Sequence, residues 1–226
     1  MPSSVSPILT KIGDKMNVLC LDMSTKATGY ALFVDEKLCN YGVIRDESKC
    51  VQTRFLTMHK MIEEQIELSL VEWIIVEDVP ISAKSNLKTG KDLCVLQGIL
   101  LSLAFSHNVN VELLKPTEWR EKIGILHSDY TCKKCGNIFE DVSGLKTVTC
   151  DKCGNNKLKE FNRSPQNLRN QLKGRAVDLA NKEFDLDLYY KGQSKKNEDD
   201  IAEAICLYLS WKKMNERKLN NGEEDV

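Results

Sequence analysis

"NVLCLDMSTKATGYALFVDEKLCNYGVI" spans residues 17–44, and its reading decides the fold. Residues 17–21 are a short, largely apolar run, the pattern of a strand buried on both faces, and Asp22 ends it. Residues 28–34 and 37–44 read as the next two strands, with Asp35 and Glu36 as a tight polar turn, which makes a hairpin meander. Working outward, residues 51–70 carry Phe55, Met58, Met61, Ile62, Ile66 and Leu70 at helical spacing. "WIIVED" (73–78) is a second apolar run ending in acids. Residues 85–107 form a long helix that is largely apolar in its second half, and 109–114 a further strand closed by Lys115-Pro116. A short helix over "TEWREKIG" follows. Helical character returns at 164–184, where Ser164 suits an N-cap and Pro165 the first helical position, and again at 197–211. Antiparallel strands followed by helix crossovers predict an α/β fold, a mixed sheet with helices on both faces.

The 226 residues suffice for one substantial domain with a small insert, and 42% hydrophobic content allows a packed core. With a formal charge of −1 the molecule is no polycation, so any nucleic-acid contact must come from local basic clusters. No apolar run approaches the roughly 18 residues of a membrane span. Residues 1–15 lack an apolar secretory core and read as a loose leader, and 215–226 as a charged tail. The nine cysteines are an odd count. Cys20, Cys39, Cys50, Cys94 and Cys206 are scattered, which favours a reducing, cytoplasmic setting with lone thiols as small packing residues. There is no internal repeat.

From residue 127 to 160 the texture turns polar and cysteine-bearing. "CKKCG" (132–136) and "CDKCG" (150–154) leave fourteen residues between Cys135 and Cys150. Each pair of thiolates can reach one ion, with a glycine easing the tight turn behind it. Together Cys132, Cys135, Cys150 and Cys153 predict one closed, structural Zn2+ site with no open position for chemistry. The insert would interrupt a larger domain made of 16–126 and 161–214.

Four acids form a set: Asp22 ending the first strand, Glu77 ending the fourth, and Asp200 and Glu203 three apart on one face of the last helix. Asn197 is placed to cap that helix, leaving Asp200 in its first turn, while Glu198 and Asp199 read as ordinary helix-start acids. If strands one and four are neighbours, a helix crossing their ends gathers four carboxylates, a hard-oxygen set suited to Mg2+ or Mn2+. Two such ions ~4 Å apart would serve phosphodiester hydrolysis. An acid at a strand end is more often a plain loop residue; the joint placement carries the reading.

"LDMSTKATGYALF", "IIVEDVPI" and "DDIAEAICL" resemble the signature blocks of RuvC-like Holliday junction resolvases of the bacteriophage type, over roughly residues 17–211 without the insert. The resemblance implies a ribonuclease H-like five-stranded sheet, a homodimer, and cleavage of branched DNA with two divalent ions per active site. By motif it makes Asp22, Glu77, Asp200 and Glu203 the catalytic metal ligands. "LKGRAVDLA" resembles the segment that carries a basic residue in the family, which makes Lys173 a catalytic candidate. The zinc insert departs from the cellular enzymes, and so does Pro80, where an aromatic junction wedge is expected.

Residues 157–175 hold six basic residues (Lys157, Lys159, Arg163, Arg169, Lys173, Arg175) against one acid, Glu160. With Lys84, Lys88 and Lys91 they predict a DNA-contacting surface. In the helix at 85–107, Leu93, Leu96, Leu100 and Leu103 make one stripe, while Cys94, Ile99, Leu101 and Ala104 keep other faces apolar. That pattern fits a deeply buried helix or a dimer contact, and the resemblance favours the dimer. No membrane and no small-molecule cofactor are expected. Rival readings are a nuclease of the same fold acting on flaps or RNA–DNA hybrids, a non-catalytic zinc-ribbon nucleic-acid binder, and an actin- or sugar-kinase-type phosphotransferase. The last needs two such domains and lacks the paired acids of the final helix.

Overall fold

A computed structural model describes residues 16–79, 87–126, 129–140, 149–160, 165–192 and 196–221. Strands β1 (Asn17–Met23), β2 (Ala27–Val34) and β3 (Lys37–Arg45) form the meander. Asp35 and Glu36 both take positive φ, 49° and 66°, the twist a two-residue hairpin turn requires. Helix α1 (Val51–Ser69) leads to β4 (Trp73–Glu77), α2 (Leu87–Ser106) to β5 (Asn110–Leu114), and α3 (Pro116–Lys122) follows with Pro116 at its first position. The sheet order is β3-β2-β1-β4-β5, with β1 parallel to β4 and β4 parallel to β5. The fold is therefore α/β, a mixed five-stranded sheet.

Alternation along the strands sorts the core into two layers. Leu19, Leu21, Leu32, Ile74 and Val76 pack with α1 and α2 on one face. Val18, Cys20, Ala31, Phe33 and Ile75 pack on the other with α3, α4 (Pro165–Phe184) and α5 (Asp199–Asn221). The parity continues to the strand ends. Asp22 follows Val18 and Cys20, and Glu77 follows Ile75, so both acids emerge on the face that α5 covers. Ile205, Leu207 and Cys206 of α5 are fully buried there, each large apolar side chain contributing about 1.5–3 kcal/mol.

The insert builds its own small antiparallel sheet, β6 (Asp129–Cys132), β7 (Ile138–Glu140) and β8 (Leu158–Glu160), in order β7-β6-β8. These strands were not expected from the sequence. Their three or four residues carry no readable period.

One expectation is corrected. Asn197 does not cap α5: its side chain accepts from the Lys191 backbone N–H and donates to the Gly192 carbonyl. Glu198 takes the capping position, its carbonyl accepting the first helical bond, from Ala202 N, at 3.2 Å. Asp199 and Asp200 then share the first turn.

Candidate active site

The parallel register Leu21↔Val76 sets Asp22 and Glu77 side by side at the C-terminal ends of β1 and β4. Asp200 and Glu203 enter from the first turns of α5. What lets α5 come so close is Gly29, paired with Asp22 across β1 and β2. A Cβ on Gly29 would land inside the Asp200 carbonyl. The glycine is thus a seat for the start of α5, a role requiring no unusual φ.

Two cations stand among these acids. Lys173 of α4 binds the Asp199 carboxylate closely and lies 3.8 Å from Asp200 Oδ1 and 3.6 Å from Glu203 Oε2. Arg120 of α3 reaches both other sides: one terminal nitrogen donates to Glu77 Oε2 at 3.1 Å and to Glu203 Oε1 at 2.9 Å. Trp119, fully buried, donates its indole N–H to the same Glu77 oxygen at 2.7 Å. The Arg120 guanidinium lies over the Trp119 ring, 4.5 Å from its centroid.

The electrostatics follow from this crowding. Burial raises the Asp22 pKa well above the usual carboxylate range, and Glu203, Glu77 and Asp200 raise it further. Burial also raises Glu77, with Arg120 pulling the other way, and Asp200, where Asp199 adds repulsion. Burial alone would lower Lys173, but Glu203, Asp199 and Asp200 around it raise it above the ordinary lysine range.

Sequence reasoning missed three participants: Arg120, Trp119 and Asp199. Asp199 had been set aside as a helix-start acid, yet it is buried and holds Lys173. The available signal for the other two was "PTEWR", a Pro-started helix following β5, the neighbour of β4.

In kind, the four carboxylates fit hard divalent cations: they are ionisable oxygens from three elements, and at Asp22, Glu77 and Asp200 burial first, and neighbouring carboxylates after it, disfavour the charged form, a cost a dication would relieve. In spacing, they stand wider than one coordination shell. Among the described residues, the sets of three or more ligand atoms mutually within 4.8 Å are Cys132, Cys135, Cys150 and Cys153, and the surface group Glu63, Glu67 and His107.

The cysteines are gathered tightly. Cys132 Sγ lies 3.6 Å from Cys153 Sγ, and Cys135 Sγ 3.6 Å from Cys150 Sγ, close to the ~3.8 Å edge of a tetrahedron with 2.3 Å zinc–sulfur bonds. The two knuckles repeat one geometry. Gly136 and Gly154 have φ of 71° and 66° and bond back to the Cys132 and Cys150 carbonyls at 2.9 and 2.8 Å. Burial opposes ionisation of the Cys132 thiol, but the backbone N–H groups of Cys135 and Lys134 and the Asn155 amide bring its pKa down to about 6.

The basic candidates divide. Lys88 and Lys91 on α2, Arg169 on α4, and Lys157 and Lys159 on the insert are exposed. Arg175 turns inward and donates to the Ile125 carbonyl at 3.1 Å. Lys84 and Arg163, and Pro80 after Glu77, lie outside the described residues. No described helix is long and apolar enough to cross a membrane.

No protein-family model matches the sequence, and no curated protein does. Solved structures do. RuvC of Thermus thermophilus in complex with a Holliday junction substrate superposes with a TM-score of 0.56 at 11% identity, over 89% of this chain and 96% of that one. A second Thermus thermophilus RuvC structure gives 0.52 at 11% identity, over the same shares. The chain shares the RuvC fold.

Proposed function

We propose that this protein is a divalent-metal-dependent endonuclease that cuts branched DNA, resolving four-way junctions by paired nicks. One observation carries the reading: Asp22, Glu77, Asp200 and Glu203 meet at one sheet edge under the start of α5. The shared fold supports it, since one of the similar RuvC structures is a complex with a Holliday junction substrate.

Asp22, Glu77, Asp200 and Glu203 would hold Mg2+ or Mn2+, two ions per site. Such ions, when bound, activate a water and stabilise the leaving oxygen. The chain's own groups set up the rest. Trp119 fixes the orientation of Glu77 through its indole N–H. Lys173, kept protonated, holds Asp199 and balances charge beside Asp200. Ile201, Ala202 and Leu207 on the same helix as these acids are buried in the core. Lys88, Lys91 and Arg169, with Lys157 and Lys159 of the insert, would meet backbone phosphates. The four cysteines would hold one structural Zn2+.

A four-way junction presents two equivalent strands, so two sites related by a two-fold are needed, and a homodimer supplies them. The support is on α2. Leu96, Leu100, Leu103 and Ala104 bury against the sheet, whereas Leu87, Leu101 and Phe105 are 72%, 41% and 86% exposed. Gly90 and Gly98 leave open space above the helix backbone.

The test is cleavage of labelled four-way junction, duplex, flap and RNA–DNA hybrid substrates with and without Mg2+. The proposal expects metal-dependent cutting that favours the junction. Preference for flap or hybrid would move the substrate assignment while keeping the nuclease. No cutting of any substrate with Mg2+ or Mn2+ would remove both.

A further inference from the structure

The two cations among the acids are not equivalent. Lys173 has an anchor outside the proposed metal ligands, since its closest partner is Asp199. Arg120 has no such ionic anchor among the described residues: beyond its stacking on Trp119, both acceptors of its side-chain hydrogen bonds, Glu77 and Glu203, belong to the proposed ligand set. Its Nε is buried and has no partner among the described residues. A single nitrogen donates to both Glu77 Oε2 and Glu203 Oε1, two of the carboxylates that would hold a metal ion. Arg120 is a long side chain in the last turn of α3 and keeps 18% exposure.

We infer that Arg120 is the resident counter-ion of the metal-free site, and that binding of a divalent cation is an exchange in which the Arg120 guanidinium leaves Glu77 and Glu203. The inference rests on the proposed nuclease reading and deepens it. The physical reason is the charge count: Glu203, buried, and Glu77, half-buried, share one guanidinium and need a positive partner whichever one it is. Arg120 keeps the pocket formed before metal arrives, and it sets a threshold against weakly bound ions. Linked events of this kind shift affinity by a definite factor, the same in both directions.

The test uses the full-length, zinc-loaded protein without DNA. Mn2+ binding is measured by calorimetry for wild type, Arg120→Gln and Lys60→Gln, the last being a charge-loss control on α1 across the sheet. Exchange predicts on the order of tenfold tighter Mn2+ binding in Arg120→Gln and no change in Lys60→Gln. It also predicts that millimolar guanidinium ion weakens Mn2+ binding to Arg120→Ala, by refilling the vacated position, and does not weaken it in wild type. Arg120→Gln should melt lower than wild type without added divalent cation and level with it in saturating Mg2+. An NMR titration supplies a second readout: the Arg120 side-chain resonance should shift with Mg2+ occupancy. Equal Mn2+ affinity in wild type and Arg120→Gln, or an Arg120 resonance unmoved while Mg2+ binds in an Asp22-dependent way, would overturn the exchange and leave the nuclease reading standing. Absence of Asp22-dependent metal binding in both proteins would overturn the two together.

Discussion

Gly29 and Asp22 face each other across two strands, and each makes a separate claim on the site. At Gly29 a methyl group has nowhere to go, because the neighbour is the Asp200 backbone and not a flexible side-chain end. Gly29→Ala should cost about 1–3 kcal/mol, the usual range for overpacking. It should also weaken metal binding, because α5 must lift and carry Asp200 and Glu203 with it. Unchanged melting and Mn2+ affinity would show that α5 does not rest on this residue. Asp22 bears on pH. Its folded pKa is raised, so at pH above the ordinary carboxylate value the folded metal-free protein holds a proton that the unfolded chain has released. That contribution is greatest at low pH and is lost as pH rises through the window between the unfolded and folded values. Relative to Asp22→Asn, metal-free wild type should therefore lose stability from about pH 4 upward. Added Mg2+ should flatten the difference, as the ion replaces the proton. Melting curves from pH 4 to 8 on zinc-loaded protein, without and with added Mg2+, check both; parallel curves for the two proteins would contradict the burial of Asp22 among like charges.

At the scale of elements, what was legible follows the periods. The apolar runs at 17–21 and 73–78 made β1 and β4. The sequence set Asp22 and Glu77 side by side on the condition that strands one and four were neighbours, and β1 and β4 do pair, in parallel. The helix at 85–107 was legible as apolar on most sides. What was not legible depends on contacts distant in sequence. Arg120 reaches Glu203 across 83 positions, and nothing local in "PTEWREK" announces that. Asp199 was misjudged because the start of α5 hung on a cap at Asn197 that the 191–192 backbone claims instead. The insert was legible through its cysteines alone, its strands being too short to show. Among its described residues the Tyr130–Phe139 rings make one aromatic contact, and in a sheet this small metal is expected to supply much of the stability. We predict about one zinc per chain, lost in the double variant Cys132→Ser, Cys135→Ser. That variant should lose DNA affinity while residual Mg2+-dependent nicking survives at high protein concentration. Freshly purified protein without zinc would contradict it.

The whole molecule joins these parts through α2, which buries one stripe against the sheet and presents another. Leu101 and Phe105 lie outside both core layers, so replacing them should spare the fold and test only assembly. Leu101→Glu with Phe105→Glu should convert a dimer of twice 25.7 kDa into monomers by light scattering. Melting should stay within a few degrees, and the monomers should nick junctions singly. Wild type that is monomeric both free and on junction DNA would refute the dimer.

The central claim is that the acid cluster cuts junction DNA, and its most direct measurement pairs binding with cleavage in one variant. A four-way junction labelled on each strand in turn is incubated with wild type and with Asp22→Asn, in Mg2+ and in EDTA, and gel-shift affinity is read alongside. The account predicts symmetric nicks on two opposed strands by wild type in Mg2+ only. For Asp22→Asn it predicts cleavage down by at least about a thousandfold, with junction affinity within a few-fold, since the basic surface is untouched. Cleavage by Asp22→Asn at the wild-type rate would contradict it.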